Sequence, residues 1–259
     1  MTLESIIRTE NLTIQFGGHL AVDNVNFEMP AKHFKSIIGP NGAGKTTFFN
    51  LLSGELRPTN GEIFLRGKSL ANDSPIERTR KGLGRSFQIT NIFPNLTVLE
   101  NVRLAVQSRE KIRFNFFKHY LQYKAITNEA IEILDQVLLG NKVNAIASQL
   151  SHGEKRKLEI AMLLALNTEI LLLDEPTAGM SLEEVPAILD VIRSIKEKGD
   201  KTILLIEHKM DMILDLSDSI MVLFSGRLLA DGTPSEIMNN KIVQEAYLGG
   251  LYVEHLIET

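Results

Sequence analysis

The chain has 259 residues, of which 44% are hydrophobic and 23% charged, and its formal net charge is −4. That length suffices for one large domain or two smaller lobes with a real core, and the acid excess excludes a global basic field for nucleic acid. The absence of cysteine excludes a disulfide framework, a thiolate nucleophile and a cysteine-based metal site, and fits a reducing compartment.

The first ten residues carry Glu4, Arg8 and Glu10 and lack the apolar core of a signal peptide. No apolar run approaches the ~18 residues that a membrane helix needs, so work at a membrane is expected to go through partners. Residues 12–16 and 25–29 are expected strands of an N-terminal β region. A short strand over 35–38 runs at once into a glycine-rich turn. A helix over 46–53 follows, closed by Gly54. Asn60-Gly61 reads as a turn and 62–65 as the strand after it. From about 97 to 150 helical periodicity takes over. Residues 129–138 place Ile131, Leu134, Val137 and Leu138 at helical spacing, as in a helical lobe inserted into an α/β core. The α/β pattern resumes with a buried strand over 170–173, a helix over 184–198 and a buried strand over 202–207. Such apolar runs separated by helices suit a parallel sheet covered on both faces.

The segment Gly39-Pro40-Asn41-Gly42-Ala43-Gly44-Lys45-Thr46 matches a phosphate loop set between a strand and a helix. Its glycines let the backbone curl until several N–H groups face one anion-sized cup. The helix that follows adds the positive end of its dipole. Lys45 is placed to reach the β- and γ-phosphates of a nucleotide, and the Thr46 hydroxyl to ligate Mg²⁺.

The run Ile170-Leu171-Leu172-Leu173-Asp174-Glu175 is an apolar strand ending in two carboxylates. Strand C-terminal ends are where α/β sheets bind ligands. Asp174 is expected to hold Mg²⁺ through water and Glu175 to polarise an attacking water as general base. Between these motifs, Leu150-Ser151-His152-Gly153-Glu154 contains an S-x-x-E capping box. Leu158, Ala161, Met162, Ala165 and Leu166 then trace one apolar helix face. This is either an ordinary helix start or an anion site. The anion would then belong to another subunit, because this chain's own phosphate loop already has donors.

Phosphate loop, Gln88, the segment Leu150 to Glu154, Asp174-Glu175 and His208 occur in the order found in ABC-transporter ATPase subunits, and the chain resembles that family over essentially its whole length. The resemblance implies a P-loop α/β core of mixed, mainly parallel sheet, with an N-terminal antiparallel β region and an inserted α-helical subdomain. Residues 1–96 and 167–245 would form a RecA-like core with the β subdomain, 97–166 the helical subdomain and 246–259 a short tail. It implies ATP and Mg²⁺ as ligands. Phe16 would stack on adenine, and Gly39 to Thr46, Thr47, Gln88 and His208 would contact ATP. Thr46, Gln88 and Asp174 would hold Mg²⁺. Ser151, His152, Gly153 and Glu154 would meet the ATP of a second ATPase subunit, in a homo- or heterodimer. Transmembrane permease subunits would dock around Gln88 to Leu96, with Phe93-Pro94 and Leu96 lining the groove. The chain would then lie in the cytoplasm on the inner face of the membrane. Three positions depart from the family pattern: His152 replaces the first signature glycine, Glu154 stands where glutamine is common, and Ser181 stands where aspartate is frequent.

Within the family the chain looks most like ATPases of branched-chain amino-acid importers. Arg85-Ser86-Phe87-Gln88, Leu158-Glu159-Ile160-Ala161 and Ala230-Asp231-Gly232-Thr233-Pro234 carry that likeness, as does the ending Ala246-Tyr247-Leu248-Gly249-Gly250. A urea or amide importer, a lipopolysaccharide exporter and a soluble switch protein outside transport stay open as alternatives. Residues 109–124 interleave Arg109, Lys111, Arg113, Lys118 and Lys124 with five aromatic residues. They read either as a helix with one solvated basic face or as a face toward anionic headgroups or the membrane subunit.

Overall fold

The computed structural model describes residues 5–86, 92–110 and 119–248, without the side chains of 119–122 and 247–248. In chain order the first elements are β1 (Ser5–Phe16), β2 (His19–Pro30), β3 (Phe34–Ile38), α1 (Lys45–Ser53), β4 (Asn60–Leu65), β5 (Lys68–Ser69), α2 (Pro75–Arg80) and β6 (Leu83–Arg85). Then come α3 (Val98–Glu110), α4 (His119–Gln136), α5 (His152–Ala165), β7 (Ile170–Asp174), α6 (Val185–Glu197) and β8 (Thr202–Ile206). They are followed by α7 (Met210–Leu216), β9 (Ser219–Phe224), β10 (Arg227–Gly232), α8 (Pro234–Met238) and α9 (Lys241–Val243), which runs on into a π-helical turn at Gln244–Leu248. They form two compact units, one of Met1–Arg78 with Thr202–Thr259 and one of Thr79–Lys201.

The first unit contains an antiparallel sheet in the order β2-β1-β4-β5. β1 and β2 are much longer than the five-residue strands expected from apolar runs. Register shifts interrupt their pairing between Thr9 and Leu12 and again between Leu12 and Ile14. Each shift breaks the period-two alternation from which a strand is read in sequence. Asn60-Gly61 lies inside β4, at a register shift against β1, rather than in a turn before it. The second sheet segment of this unit has the order β10-β9-β3-β8. β3 is parallel to both β8 and β9, and every residue of β3 and β8 is buried, as continuous apolar strands require. Arg78 is buried at 2% exposure and caps the far end of α1. It donates to the carbonyls of Leu51 at 2.6 Å, Leu52 at 2.9 Å and Leu70 at 2.9 Å. Helix C-terminal carbonyls lack intrahelical partners, and a cation there also meets the negative end of the dipole.

In the second unit β6 pairs with β7 in parallel, and the described chain from Val98 to Ala165 is helical with short turns and no named strand. α4 ends at Gln136. Leu138, expected on its apolar face, has φ 60° and is exposed. The chain has left the helix before that residue, while Leu134 and Val137 are buried as expected.

Candidate functional site

β3 delivers the phosphate loop at its C-terminal end. Gly44 is the N-cap of α1 with φ 97° and ψ 5°, a left-handed conformation that glycine adopts freely. A Cβ built there would sit 2.3 Å from the Ala21 carbonyl oxygen, so the loop closes against backbone. Lys45 is buried, and its Nζ donates to Gly39 O at 2.7 Å and Pro40 O at 3.0 Å. The ammonium thus spans the loop from its first residues to the helix start. The first helical bond runs from Phe48 N–H to Gly44 O at 2.8 Å. The N–H groups of Lys45, Thr46 and Thr47 therefore precede the ladder and have no intrahelical acceptor. No acidic side chain lies in the first turn. Lysine, helix dipole and backbone donors make a cup for phosphate.

β8 is the parallel neighbour of β3, with Ile37 opposite Ile206. The residues after both strands thus emerge at one edge of this sheet. His208 is exposed there, and its N–H donates to the carboxylate of the buried Glu207 at 2.7 Å. Phe16, at the end of β1, is 49% exposed, which leaves an aromatic face available for stacking rather than spent in the core.

In the second unit β7 is buried throughout. Asp174 is fully buried, with Oδ2 accepting from Arg85 Nη2 at 2.9 Å and its N–H donating to Ser86 Oγ at 3.3 Å. Burial pushes the Asp174 carboxyl above its ordinary value, and the Arg85 guanidinium offsets only part of that shift. Its Oδ1 is buried with no hydrogen-bond partner among the described residues, an arrangement that costs free energy unless a cation or its water shell is met there. A buried carboxylate oxygen is a hard donor of the kind that Mg²⁺ takes. Glu175 has φ 44°, a conformation that costs a non-glycine residue roughly 1–2 kcal/mol and that concentrates at functional sites.

α5 begins with the capping box foreseen in the sequence. Ser151 Oγ accepts from Glu154 N–H at 3.2 Å, and the Glu154 carboxylate accepts from Ser151 N–H at 3.0 Å. That carboxylate also pairs with Lys142 at 2.5 Å. Burial raises the Glu154 carboxyl, but Lys142 and the Ser151 N–H together hold it below the usual range. Glu154 is therefore folded back onto the cap. The anion at this helix start comes from elsewhere in the same unit: Glu184 Oε1 accepts from Ser151 Oγ at 3.1 Å and from Gly153 N–H at 3.2 Å. The Gly153 N–H chiefly holds the Glu184 carboxyl below its ordinary value. Ser181 contacts the other Glu184 oxygen through its N–H and Oγ, each at 3.4 Å. His152 Nε2 lies 3.3 Å from Ala178 O. The donors at Ser151 and Gly153 thus already hold a carboxylate, the same charge type as a phosphate oxygen.

Gln88 lies outside the described residues, as do Lys111, Arg113 and Lys118. Phe93 is exposed, and the buried side chain of Asn101 accepts from its N–H at 2.7 Å and donates to its carbonyl at 3.1 Å. Phe93, Leu104, Ala105, Met162, Leu163 and Leu166 line most of an apolar cavity of about 440 Å³. Arg109 is held within its own unit by Glu129 at 2.7 and 2.8 Å, so its charge is not offered outward. Sequence reading missed Arg78, Arg85, Arg156 and Glu184, all of which act on distant backbone or on other site residues.

The family model described as "ABC transporter" matches residues 22–178, more than half of the chain. The chain belongs to the ABC transporter family. A second model, "Branched-chain amino acid ATP-binding cassette transporter", matches residues 227–252 of this ABC cassette. The cassette is 39% identical over 253 residues to the high-affinity branched-chain amino acid transport ATP-binding protein LivG of Escherichia coli, covering 95% of this chain and 98% of that protein. It is 39% identical over 251 residues to the corresponding protein BraF of Pseudomonas aeruginosa, at 94% and 98% coverage. Among solved structures, it matches an ATP-binding cassette of an ABC transporter in its ADP conformation with a TM-score of 0.80 and 30% identity, over 95% of this chain and 99% of that one. A dimeric cassette in a post-hydrolysis state with ADP and Pi matches with a TM-score of 0.75 and 26% identity, over 88% and 98%. The fold is that of the ABC ATPase cassettes, and ATP hydrolysis is the activity of the family.

Proposed function

We propose that this cassette powers the import of branched-chain amino acids. The observation that carries the reading is the match of its C-terminal segment to the branched-chain cassette model, joined to 39% identity with LivG along nearly the whole chain. In this reading two ATPase subunits hold two ATP molecules. Each ATP lies on the Lys45 loop of one subunit and meets the Ser151 helix of the other. Lys45 and the N–H groups of Thr46 and Thr47 bind the phosphates, and Phe16 stacks on the base. Glu175 takes a proton from the attacking water, and His208 orients that water against the γ-phosphate. Thr46, Asp174 and Gln88 would hold Mg²⁺, which would neutralise charge on the phosphate oxygens. Ser151 and Gly153 supply donors to developing charge. Closure of the pair drives the permease between access states and hydrolysis resets it.

The permease docks against the stretch from Gln88 to Leu96. The apolar cavity beside Phe93 supports that assignment, as does the clamp of Asn101 on Phe93. No helix among the described residues is long and apolar enough to cross a membrane, so attachment to the cytoplasmic face runs through these partners. The test is uptake by proteoliposomes holding this chain with its permease and binding protein. Leucine, isoleucine or valine should enter with ATP and stop with Lys45→Ala. Uptake of urea in place of these amino acids overturns the assigned cargo.

A further inference from the structure

Arg156 lies one turn into α5, the helix capped by Ser151. It is 8% exposed. Its Nη2 donates to the carbonyl of Asp174 at 2.6 Å, and its Nε to the carbonyl of Pro176 at 3.3 Å. These carbonyls belong to the two residues that flank Glu175. Between them Glu175 is held at φ 44°, where a non-glycine residue stays only if its surroundings over-determine it. The planar fork of arginine fixes two acceptors in one plane, which an ammonium cannot do. The third edge of the guanidinium donates from Nη1 to Glu159 Oε2 at 2.7 Å, and Glu159 is 7% exposed. An apolar side chain would fill the same space without the desolvation of a buried ion pair. The charge is therefore spent on geometry at Glu175.

We infer that Arg156 is a positioning residue for hydrolysis: it clamps the backbone on both sides of Glu175 and ties that carboxylate to the helix that begins with Ser151. The inference rests on the reading of Glu175 as general base. Because the clamp is set on α5, a shift of the Ser151 segment is transmitted to the orientation of Glu175 in the same chain. Arg85 holds the side chain of Asp174.

The test is steady-state ATP hydrolysis by the chain assembled with its permease and ATPase partner, comparing Arg156→Lys, Arg156→Met and Glu175→Gln. Arg156→Lys retains a cation opposite Glu159 but offers a point charge in place of the planar fork, and its melting temperature reports whether it is folded. Its kcat should fall up to about a hundredfold, the scale of a group misplaced by about 1 Å, with KM for ATP close to that of wild type. Arg156→Met should lose more kcat at the same KM. A wild-type kcat in folded Arg156→Lys overturns the clamp, as does a loss matched by an equal loss of nucleotide affinity and melting temperature. Glu175→Gln separates the two ideas. If it abolishes turnover while the Arg156 variants keep theirs, only the clamp fails. If Glu175→Gln turns over normally, the general-base reading fails and the clamp with it.

Discussion

Replacing Gly44 with alanine tests the physical basis of the phosphate loop. Gly44 has φ +97°, and its new Cβ would stand 2.3 Å from the Ala21 carbonyl oxygen and 3.5 Å from Gly226 Cα. Both neighbours are backbone, so no side chain can swing away. The left-handed conformation costs an alanine about 1–2 kcal/mol, and forced overpacking adds about 1–3 kcal/mol. The sum of about 2–5 kcal/mol corresponds to a fall in melting temperature of roughly 4–20 °C for a chain of this size. Gly42→Ala is the control. Gly42 has φ +78° but nothing within 4 Å of its built Cβ, so only the conformational cost of about 1–2 kcal/mol remains. Thermal unfolding without nucleotide should rank wild type above Gly42→Ala and Gly42→Ala well above Gly44→Ala. Equal melting temperatures for the two variants would refute the claim that close backbone approach at Gly44 shapes the loop.

Three further outcomes follow from the same geometry. Arg78→Met strands the carbonyls of Leu51, Leu52 and Leu70 and should lower unfolding free energy by about 2–4 kcal/mol in urea titration. Glu154→Gln weakens the capping box and the Lys142 pair at a cost of about 0.5–1 kcal/mol near pH 7. The folded-state Glu154 carboxyl is held below its ordinary value. Its contribution is therefore complete above the normal glutamate range and lost as pH falls through the lower folded value, so the melting temperatures of wild type and Glu154→Gln should converge as pH is lowered below the glutamate range. Glu184→Gln removes the carboxylate charge at Ser151 and Gly153. In light scattering, ATP-dependent pairing of subunits should then occur at lower ATP than in wild type.

What was legible in the sequence is what depends on adjacent residues. The phosphate loop is eight consecutive residues whose turn and helix start are local properties, and the Ser151–Glu154 cap spans a single turn. Continuous apolar runs marked β7 and β8 because burial on both faces leaves no alternation to decode. β1 and β2 were half-read because their register shifts at Thr9, Leu12 and Ile14 erase a simple period. The arginines were invisible for another reason. Arg78 and Arg156 are buried against carbonyls distant in sequence, while a charged residue on a helix ordinarily reads as solvated, and Arg85 on β6 pairs with Asp174 eighty-nine positions away. One signal was available: Glu159 lies between the apolar Leu158 and Ile160, and Arg156 stands one helical turn before it, at the spacing of an ion pair. Glu184 occupying the start of α5 had no comparable mark, because the contact joins a loop residue to a helix thirty-one positions away.

The most direct measurement is Mg²⁺-dependent ATP turnover by the assembled cassette with Lys45→Ala and Glu175→Gln beside wild type. The site described here predicts no turnover in either variant, for different reasons: Lys45→Ala should lose nucleotide binding, while Glu175→Gln should keep ATP and accumulate as a stable ATP-bound pair. Wild-type turnover in Glu175→Gln would contradict the assignment of Glu175 as the base that activates water.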